Sequence, residues 1–320
     1  MQQGFTLDLR IGRTDTGGHA TLGLPVTDPT AAPAEPETPR ARIPYLNEPQ
    51  RDLAAWVRYF SKAEIPVLAS TSLAIEELRA NEDNVDAKML GSVIESDPFM
   101  TIKVMADVAA RRKPGDKTDT ETVTTALVMT GVAPFFRNFG LQPTVQDQLF
   151  DQPLAVEGLM ALIKRTQRAA HFAMAFAVHR GDTDAGVIYQ AAILHDFAEM
   201  LMWCHAPTFQ LEIIAMQKAN PTLRTAALQR FVYNVDLEDL GHALMKLWHL
   251  PELLVRICDG KHPDHPAVRN VVLASRLARH IAGGWDNPAV PDDIAELSEL
   301  LNSPPRVVTS FLHKIDLGRE

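Results

Sequence analysis

The residues best suited to chemistry are an adjacent histidine and aspartate, His195 and Asp196, in an otherwise apolar segment. A second histidine, His171, lies in an earlier apolar segment. Imidazole and carboxylate groups bind divalent metals, and a buried carboxylate needs a metal, an arginine or a histidine as its partner. Two packed helices joined by a short loop would allow the three groups to converge. The pattern therefore predicts either a metal site or a set of polar groups hydrogen-bonded within the core.

The segments that hold these residues have helical periodicity. Residues 167–178 are apolar on almost every side, which predicts a buried central helix. Residues 186–205 predict the next helix, with His195 inside its apolar stripe. Helical patterns continue from residue 47 onward, without βαβ alternation and without a glycine-rich phosphate-binding motif. The sequence therefore predicts an all-α fold and argues against an α/β nucleotide-binding fold.

The composition excludes several classes of protein. The chain has 31 Lys and Arg residues against 40 Asp and Glu, a net charge of −9, which argues against bulk binding to nucleic acid. No apolar run approaches the roughly 20 residues of a membrane span, and the N-terminus lacks the apolar core of a signal peptide. Cys204 and Cys258 have neither disulfide-framework nor zinc-finger spacing, so we interpret them as packed thiols. We expect a cytoplasmic protein with no membrane association.

The first 46 residues differ from the rest of the chain. Residues 25–45 are rich in Pro, Ala, Thr and Glu, which predicts a disordered arm over residues 1–46. Apolar residues alternate with polar ones in residues 4–13, a pattern typical of a short strand, a docking peptide or a frayed terminus. The arm is therefore a candidate docking segment that folds on binding.

Six segments occur in an order that resembles a known family. The segments are IPVLASTSLAIEEL, LGSVIESDPFMTIKVM, TALVMTGVAPFFRNFG, RAAHFAMAFA, AAILHDFAEMLM and NVDLEDLGHALMKLWHLPELLVRI. Together they resemble the HDOD family, a bacterial offshoot of the HD phosphohydrolase superfamily that is linked to signal transduction. The resemblance implies two packed helical subdomains, at residues 47–150 and 151–285, followed by a C-terminal helical extension at 286–320.

The resemblance also implies a metal-ligand set, which is incomplete in this chain. His171, His195 and Asp196 stand at three ligand positions, whereas a neutral serine, Ser275, stands where the last aspartate is expected. Glu199 replaces a lysine that commonly follows the His-Asp pair in active relatives. Asp259 and His262 are further candidates in the turn where a helix ends. We expect no cofactor, or at most a weakly bound divalent metal.

This incomplete set favours a catalytically degenerate signalling module that binds a partner protein or a small nucleotide. The alternative is an HD-type, metal-dependent phosphohydrolase or phosphodiesterase acting on nucleotides or cyclic dinucleotides. A separate local candidate for an anion or a phosphorylated partner is the basic run Arg111, Arg112 and Lys113, in a predicted loop.

Overall fold

The helices expected from residue 47 onward are present in the computed structural model. It describes residues 43–111, 120–259, 262 and 264–318, which belong to one compact unit. These residues include no β-strand, and an isolated bridge pairs Val67 with Thr144. The predicted all-α fold is therefore confirmed. The predicted disordered arm lies almost wholly outside the described residues, and the division into two subdomains stays a prediction.

Short helices form the first half of the described chain, and side-chain caps start several of them. Asp86 caps one by accepting a hydrogen bond from the Met89 amide at 2.7 Å. The helices are α1 (Leu53–Phe60), α2 (Ala69–Arg79), α3 (Ala87–Ile94), α4 (Pro98–Arg111), α5 (Val123–Thr130), α6 (Val132–Asn138) and α7 (Val145–Gln148), with a 3-10 turn at Glu82–Asn84.

One long helix organises the second half. It is α8 (Pro153–Arg180), which ends at Gly181 in the left-handed conformation, with φ of 73°. The helices that follow are α9 (Ala185–Leu194), α10 (Phe197–His205), α11 (Pro207–Ala219), α12 (Thr225–Tyr233), α13 (Leu237–Leu247), α14 (Glu252–Cys258), α15 (Pro266–His280), α16 (Val290–Leu300) and α17 (Pro305–Leu317), with a 3-10 turn at Ile281–Gly283. None of the helices in the described part of the chain has both the length and the apolarity that a membrane crossing requires.

Helix α8 is the centre of this half, because α9, α10, α11, α15 and α17 all pack against it. Most of its apolar residues are buried, as expected, but Val178 and His171 are exposed. His171 and Gln167, one turn apart, lie on the exposed side of the helix. The expectation that His171 is buried is therefore wrong, because a run that is mostly apolar still has one side facing solvent.

The single helix expected over residues 186–205 is broken in two at His195 and Asp196. Asp196 has φ of −105° and ψ of 21°, and the His195 amide bonds to the Ala192 carbonyl three residues back, at 3.4 Å. Adjacent side chains on a regular helix point about 100° apart, whereas these two side chains contact each other. The chain therefore changes direction between α9 and α10, and the contacting side chains of His195 and Asp196 lie at the corner between the two helices.

Aromatic packing fastens α1 to the second half of the chain. Trp56 is completely buried, and its indole nitrogen donates a hydrogen bond to the Tyr233 carbonyl at 2.8 Å. Its ring also stacks on Phe60 at 5.7 Å. The Nδ1 atom of His205, the last residue of α10, lies 2.9 Å from the Tyr59 hydroxyl. Burial lowers the pKa of His205 to about 4, so this side chain is a neutral packing element at pH 7.

A buried aspartate holds the start of α4. Asp97 is completely buried and accepts hydrogen bonds from the amides of Phe99 and Met100, at 2.9 and 3.1 Å. Its second oxygen accepts from the Leu68 amide at 2.8 Å, which ties the chain before α2 to α4. The Asp-Pro pair therefore acts both as a helix cap and as a tertiary cross-link.

We expect Asp97→Ala to lower the free energy of unfolding by about 2–4 kcal/mol, because three buried amides lose their acceptor. Asp86→Ala is the matched control, since Asp86 is an exposed cap. The control should cost about 0.5–1 kcal/mol. Urea unfolding of both variants checks the difference, and equal losses would contradict the cross-linking role of Asp97.

A glycine allows α8 and α10 to approach closely. A Cβ atom on Gly158 would lie 2.3 Å from the Trp203 ring, whereas one on Gly140 would meet no atom within 4 Å. We expect Gly158→Ala to destabilise the protein by about 1–3 kcal/mol despite the higher helix propensity of alanine. Gly140→Ala should change the stability little. Calorimetric unfolding of both variants is the test, and a stabilised Gly158→Ala protein would show that the helices can separate without cost.

Candidate functional site

The corner between α9 and α10 carries a network of charged side chains. The His195 Nδ1 atom lies 2.7 Å from one Asp196 oxygen, and Arg165 on α8 donates to the other oxygen at 3.3 Å. The side chains of His195 and Asp196 are 19% and 16% exposed. Each carboxylate oxygen therefore has a cationic or proton-bearing partner, although the corner is not fully sealed from solvent.

The charges in this network support one another. Burial acts to lower the pKa of His195, but the Asp196 carboxylate outweighs it and raises the pKa above the ordinary histidine value. Burial acts to raise the pKa of Asp196, but the His195 imidazolium and the guanidinium groups of Arg165 and Arg279 hold it far below the usual range. The opposite charges of the two side chains therefore favour the protonated form of His195 and the ionised form of Asp196.

Glu199 lies one turn after Asp196 and belongs to the same network. Burial and the negative charge of Asp196 raise the pKa of Glu199, while Arg165 acts in the opposite direction. Gln229 on α12 donates a hydrogen bond to its carboxyl group at 3.1 Å. The resemblance implies a lysine that could contact phosphate at position 199, whereas this chain has Glu199, a second acidic residue beside Asp196.

Helix α13 supplies a further acid and a further histidine. Glu238 also raises the pKa of His195 through its charge. A Cβ on Gly241 would lie 3.3 Å from the Phe197 ring, so α13 packs directly on the start of α10. His242 pairs with Asp259, with 3.4 Å between its Nδ1 and the carboxylate oxygen. The candidate residue Asp259 is thus engaged by a histidine that sequence reasoning did not identify.

The other predicted residues occupy different environments. His171 is exposed, and its Nδ1 donates to the Gln167 carbonyl of its own helix at 2.7 Å, while its ring packs edge-on against Tyr189. Ser275 on α15 is buried, and its hydroxyl has no hydrogen-bond partner among the described residues. His262 is exposed, and its carbonyl accepts from the His265 amide at 2.9 Å.

The donor atoms at this corner do not fit a divalent metal. Both oxygens of Asp196 already accept from cationic or proton-bearing partners, and Arg165 and Arg279 add positive charge next to it. Among the described residues, no three His, Cys, Asp or Glu side chains are grouped so as to hold a metal ion. We therefore derive no reaction step through a metal, and the ligand set His171, His195 and Asp196 stays a prediction.

Sequence reasoning missed Arg165, Arg279, Glu238 and His242. Arg165 contacts Asp196 from 31 residues away, so no local motif connects the two. The position of Arg165 could have indicated the contact. It is a cation on α8 close to Leu162 and Ile163, which are both buried. A charged residue in such a place needs a partner of opposite charge.

The remaining candidates have structural contacts. Burial raises the pKa of Cys204 well above its usual range and that of Cys258 to about 12, so neither thiol is activated. Arg111 forms an ion pair with Asp107 at 2.8 Å. Arg112 and Lys113, the rest of the basic run, lie outside the described residues.

We expect the His195 pKa to exceed the ordinary value of about 6.5 in an NMR titration, and Asp196→Asn to lower it below that value. The variant removes the carboxylate that raises the pKa but leaves the burial that lowers it. Asp286→Asn, at an exposed aspartate, is the control and should leave the His195 pKa unchanged. A normal His195 pKa in the wild type would contradict the ion pair.

The same shifts define a pH window for stability. Because the His195 pKa is raised in the folded state, protonation of His195 stabilises the fold. This stabilisation is fully present below the unfolded pKa of about 6.5 and is lost as the pH rises through the folded pKa. Because the Asp196 pKa is lowered in the folded state, ionisation of Asp196 also stabilises the fold. This stabilisation is present above the unfolded pKa of about 4 and is lost as the pH falls through the folded pKa. The contribution of the pair to the free energy of unfolding should therefore be largest between about pH 4 and 6.5.

Comparisons with known proteins agree with this architecture. The similar solved structures include a MmoQ response regulator from Methylococcus capsulatus, with 19% identity, a TM-score of 0.56 and coverage of 74% of this chain and 98% of that one. They also include a virulence factor (cj0248) from Campylobacter jejuni, with 17% identity, a TM-score of 0.51 and coverage of 81% of this chain and 97% of that one. At these identities the likeness shows the fold. No curated protein is similar in sequence. A family model for the HDOD domain matches residues 65–263, which is more than half of the sequence, and the chain therefore belongs to the HDOD family.

Proposed function

We propose that this protein is a catalytically degenerate HDOD module of a bacterial, cytoplasmic signalling system, which binds a partner protein and does not hydrolyse phosphate esters. The observation that carries the proposal is the closed network of His195, Asp196 and Arg165. These contacts engage both oxygens of Asp196, the atoms that a carboxylate ligand would present to a metal.

The network lacks the parts that hydrolysis of a phosphodiester requires. Such a reaction needs an activated water and positive charge that neutralises the phosphate. His195 directs its Nδ1 atom at Asp196, and both oxygens of Asp196 are engaged by His195 and Arg165. Glu199 places a carboxyl group where active relatives commonly have a lysine, so a cation that could hold phosphate is missing. Ser275 supplies only a neutral hydroxyl at the position of the missing aspartate.

The acidic residues at the corner favour a protein partner over a nucleotide. Asp196, Glu199 and Glu238 lie in the same network as Arg165 and Arg279, so a nucleotide phosphate would lie next to carboxyl groups as well as guanidinium groups. The name of the neighbour from M. capsulatus, a response regulator, supports a signalling role.

The test measures metal content, turnover and nucleotide binding on the same preparation. We expect untagged protein to carry far less than one metal per chain, and to show no hydrolysis of bis(p-nitrophenyl) phosphate or of cyclic dinucleotides with added Mg²⁺, Mn²⁺ or Fe²⁺. GTP, ATP and cyclic dinucleotides should leave the unfolding temperature unchanged. Metal-dependent turnover that His195→Ala abolishes would establish the hydrolase, and a saturable rise in unfolding temperature would indicate a nucleotide ligand.

A variant pair separates a structural network from a catalytic one. Because the pair is partly exposed, His195→Ala should destabilise the protein by about 1–3 kcal/mol, less than the loss of a sealed ion pair. His171→Ala is the control, since His171 is exposed and lies outside the network. The control should change the stability little, whereas similar losses of activity in both variants would favour a shared metal site.

A further inference from the structure

A cleft lies between the C-terminal end of α8 and helix α17. It has a volume of about 410 Å³, within the usual range for small-molecule sites. Its lining consists of His179, Leu301, Ser303, Arg306, Val307, Val308, Ser310, Phe311 and Lys314. All of these except His179 lie beyond residue 263, where the match to the HDOD domain ends. The cleft is thus built largely by the C-terminal extension and is separate from the His-Asp corner.

The polar lining of the cleft is cationic or neutral. It has three basic side chains, His179, Arg306 and Lys314, and two serine hydroxyls, but no carboxylate. In the part of the chain that the structure describes, neither Arg306 nor Lys314 forms an ion pair. Acidic residues outnumber basic ones in this protein, with a net charge of −9. A concave site in which the charged lining residues, among those that the structure describes, are Arg306 and Lys314 is therefore a local departure from the overall charge, and it is suited to an anion.

The rest of the lining is apolar. Val308 and Leu301 are buried, whereas Val307 keeps 53% of its surface exposed to solvent. The ring of Phe311 packs 5.5 Å from that of His179 across the cleft. A ligand with an apolar body would remove the exposed valine surface from water, which is favourable in proportion to the area covered.

The walls of the cleft are fixed by specific contacts. The His179 Nε2 donates to the Leu301 carbonyl at 3.3 Å, and the Ser303 amide donates to the Ser298 carbonyl at 3.0 Å. An ion pair between Arg168 and Asp316 also fastens α17 to α8. The cleft is therefore preformed, which reduces the entropy lost when a ligand binds.

The spacing on α17 indicates the shape of the ligand. Arg306, Ser310 and Lys314 follow one another at intervals of four residues, so they share one side of the helix. At 1.5 Å per residue this polar edge is about 12 Å long. Val307 and Phe311 run beside it with the same spacing. The apolar strip is thus elongated and has one cation near each end.

We propose that this cleft binds a small amphiphilic anion, with its charged head at one of the two cations, Arg306 or Lys314, and its apolar body along Val307 and Phe311. A carboxylate and a phosphate monoester offer the same chemistry to these cations. The proposal does not depend on the proposed signalling function, because no residue of the His-Asp corner lines the cleft.

The test is isothermal titration of the full chain with sodium decanoate, below the concentration at which decanoate forms micelles. We expect saturable binding of one molecule per chain. The double variant R306Q/K314Q should weaken binding about tenfold or more, and higher ionic strength should weaken wild-type binding. Val307→Asn should also weaken binding, because it removes apolar contact. Lys218→Gln, at an exposed lysine on α11, is the matched control and should bind like the wild type.

Three further ligands separate the contributions of head and body. Decyl phosphate carries a phosphate head on the same ten-carbon body as decanoate, so the tighter binder of the two identifies the preferred head group. Inorganic phosphate and decanol supply the head alone and the body alone, and both should bind more weakly than the complete molecules. The proposal is overturned if decanol binds as tightly as decanoate, if R306Q/K314Q folds normally and binds decanoate like the wild type, or if neither anion shows saturable binding.

Discussion

The ion pair between His195 and Asp196 is the constraint on which the second half of this structure depends. A carboxylate in an apolar surrounding is stable only when positive charge or hydrogen-bond donors reach it. Asp196 obtains one donor from its chain neighbour and another from Arg165 on α8. The contact with His195 occurs where α9 ends and α10 begins, and the contact with Arg165 fastens this junction to α8. One carboxylate therefore connects three helices.

The same pair explains why an HD motif need not be a metal site. In a metal centre, the carboxylate and the imidazole direct lone pairs at the ion. Here the imidazole carries a proton on Nδ1 and directs it at the carboxylate, and a guanidinium takes the second oxygen. In the proposed function, protein cations neutralise this buried carboxylate in place of a metal. The fold is thus compatible with loss of the reaction, because its demand for charge compensation is met in another way.

Much of the fold could be predicted because its signals are local. The caps at Asp86 and Asp97 and the end of α8 at Gly181 depend on residues within one turn. The helix break at Asp196 could not be predicted from periodicity, because the apolar stripe continues through it. The exposure of His171 was missed for a related reason, since composition describes a segment and not the direction of each side chain. The partnership of Arg165 with Asp196 depends on tertiary packing, which no single segment encodes.

Helix α8 joins the two regions of this protein that carry unusual charge. Arg165 reaches the His-Asp corner, Arg168 pairs with Asp316 of α17, and His179 borders the cationic cleft. The distance from Arg165 to His179 along the helix is about 21 Å at 1.5 Å per residue. A helix packed on many sides transmits position but does not by itself switch between two states. The corner and the cleft are therefore connected through the stability of one shared helix, so a change that loosens α8 affects both, while ligand binding at one site need not alter the other.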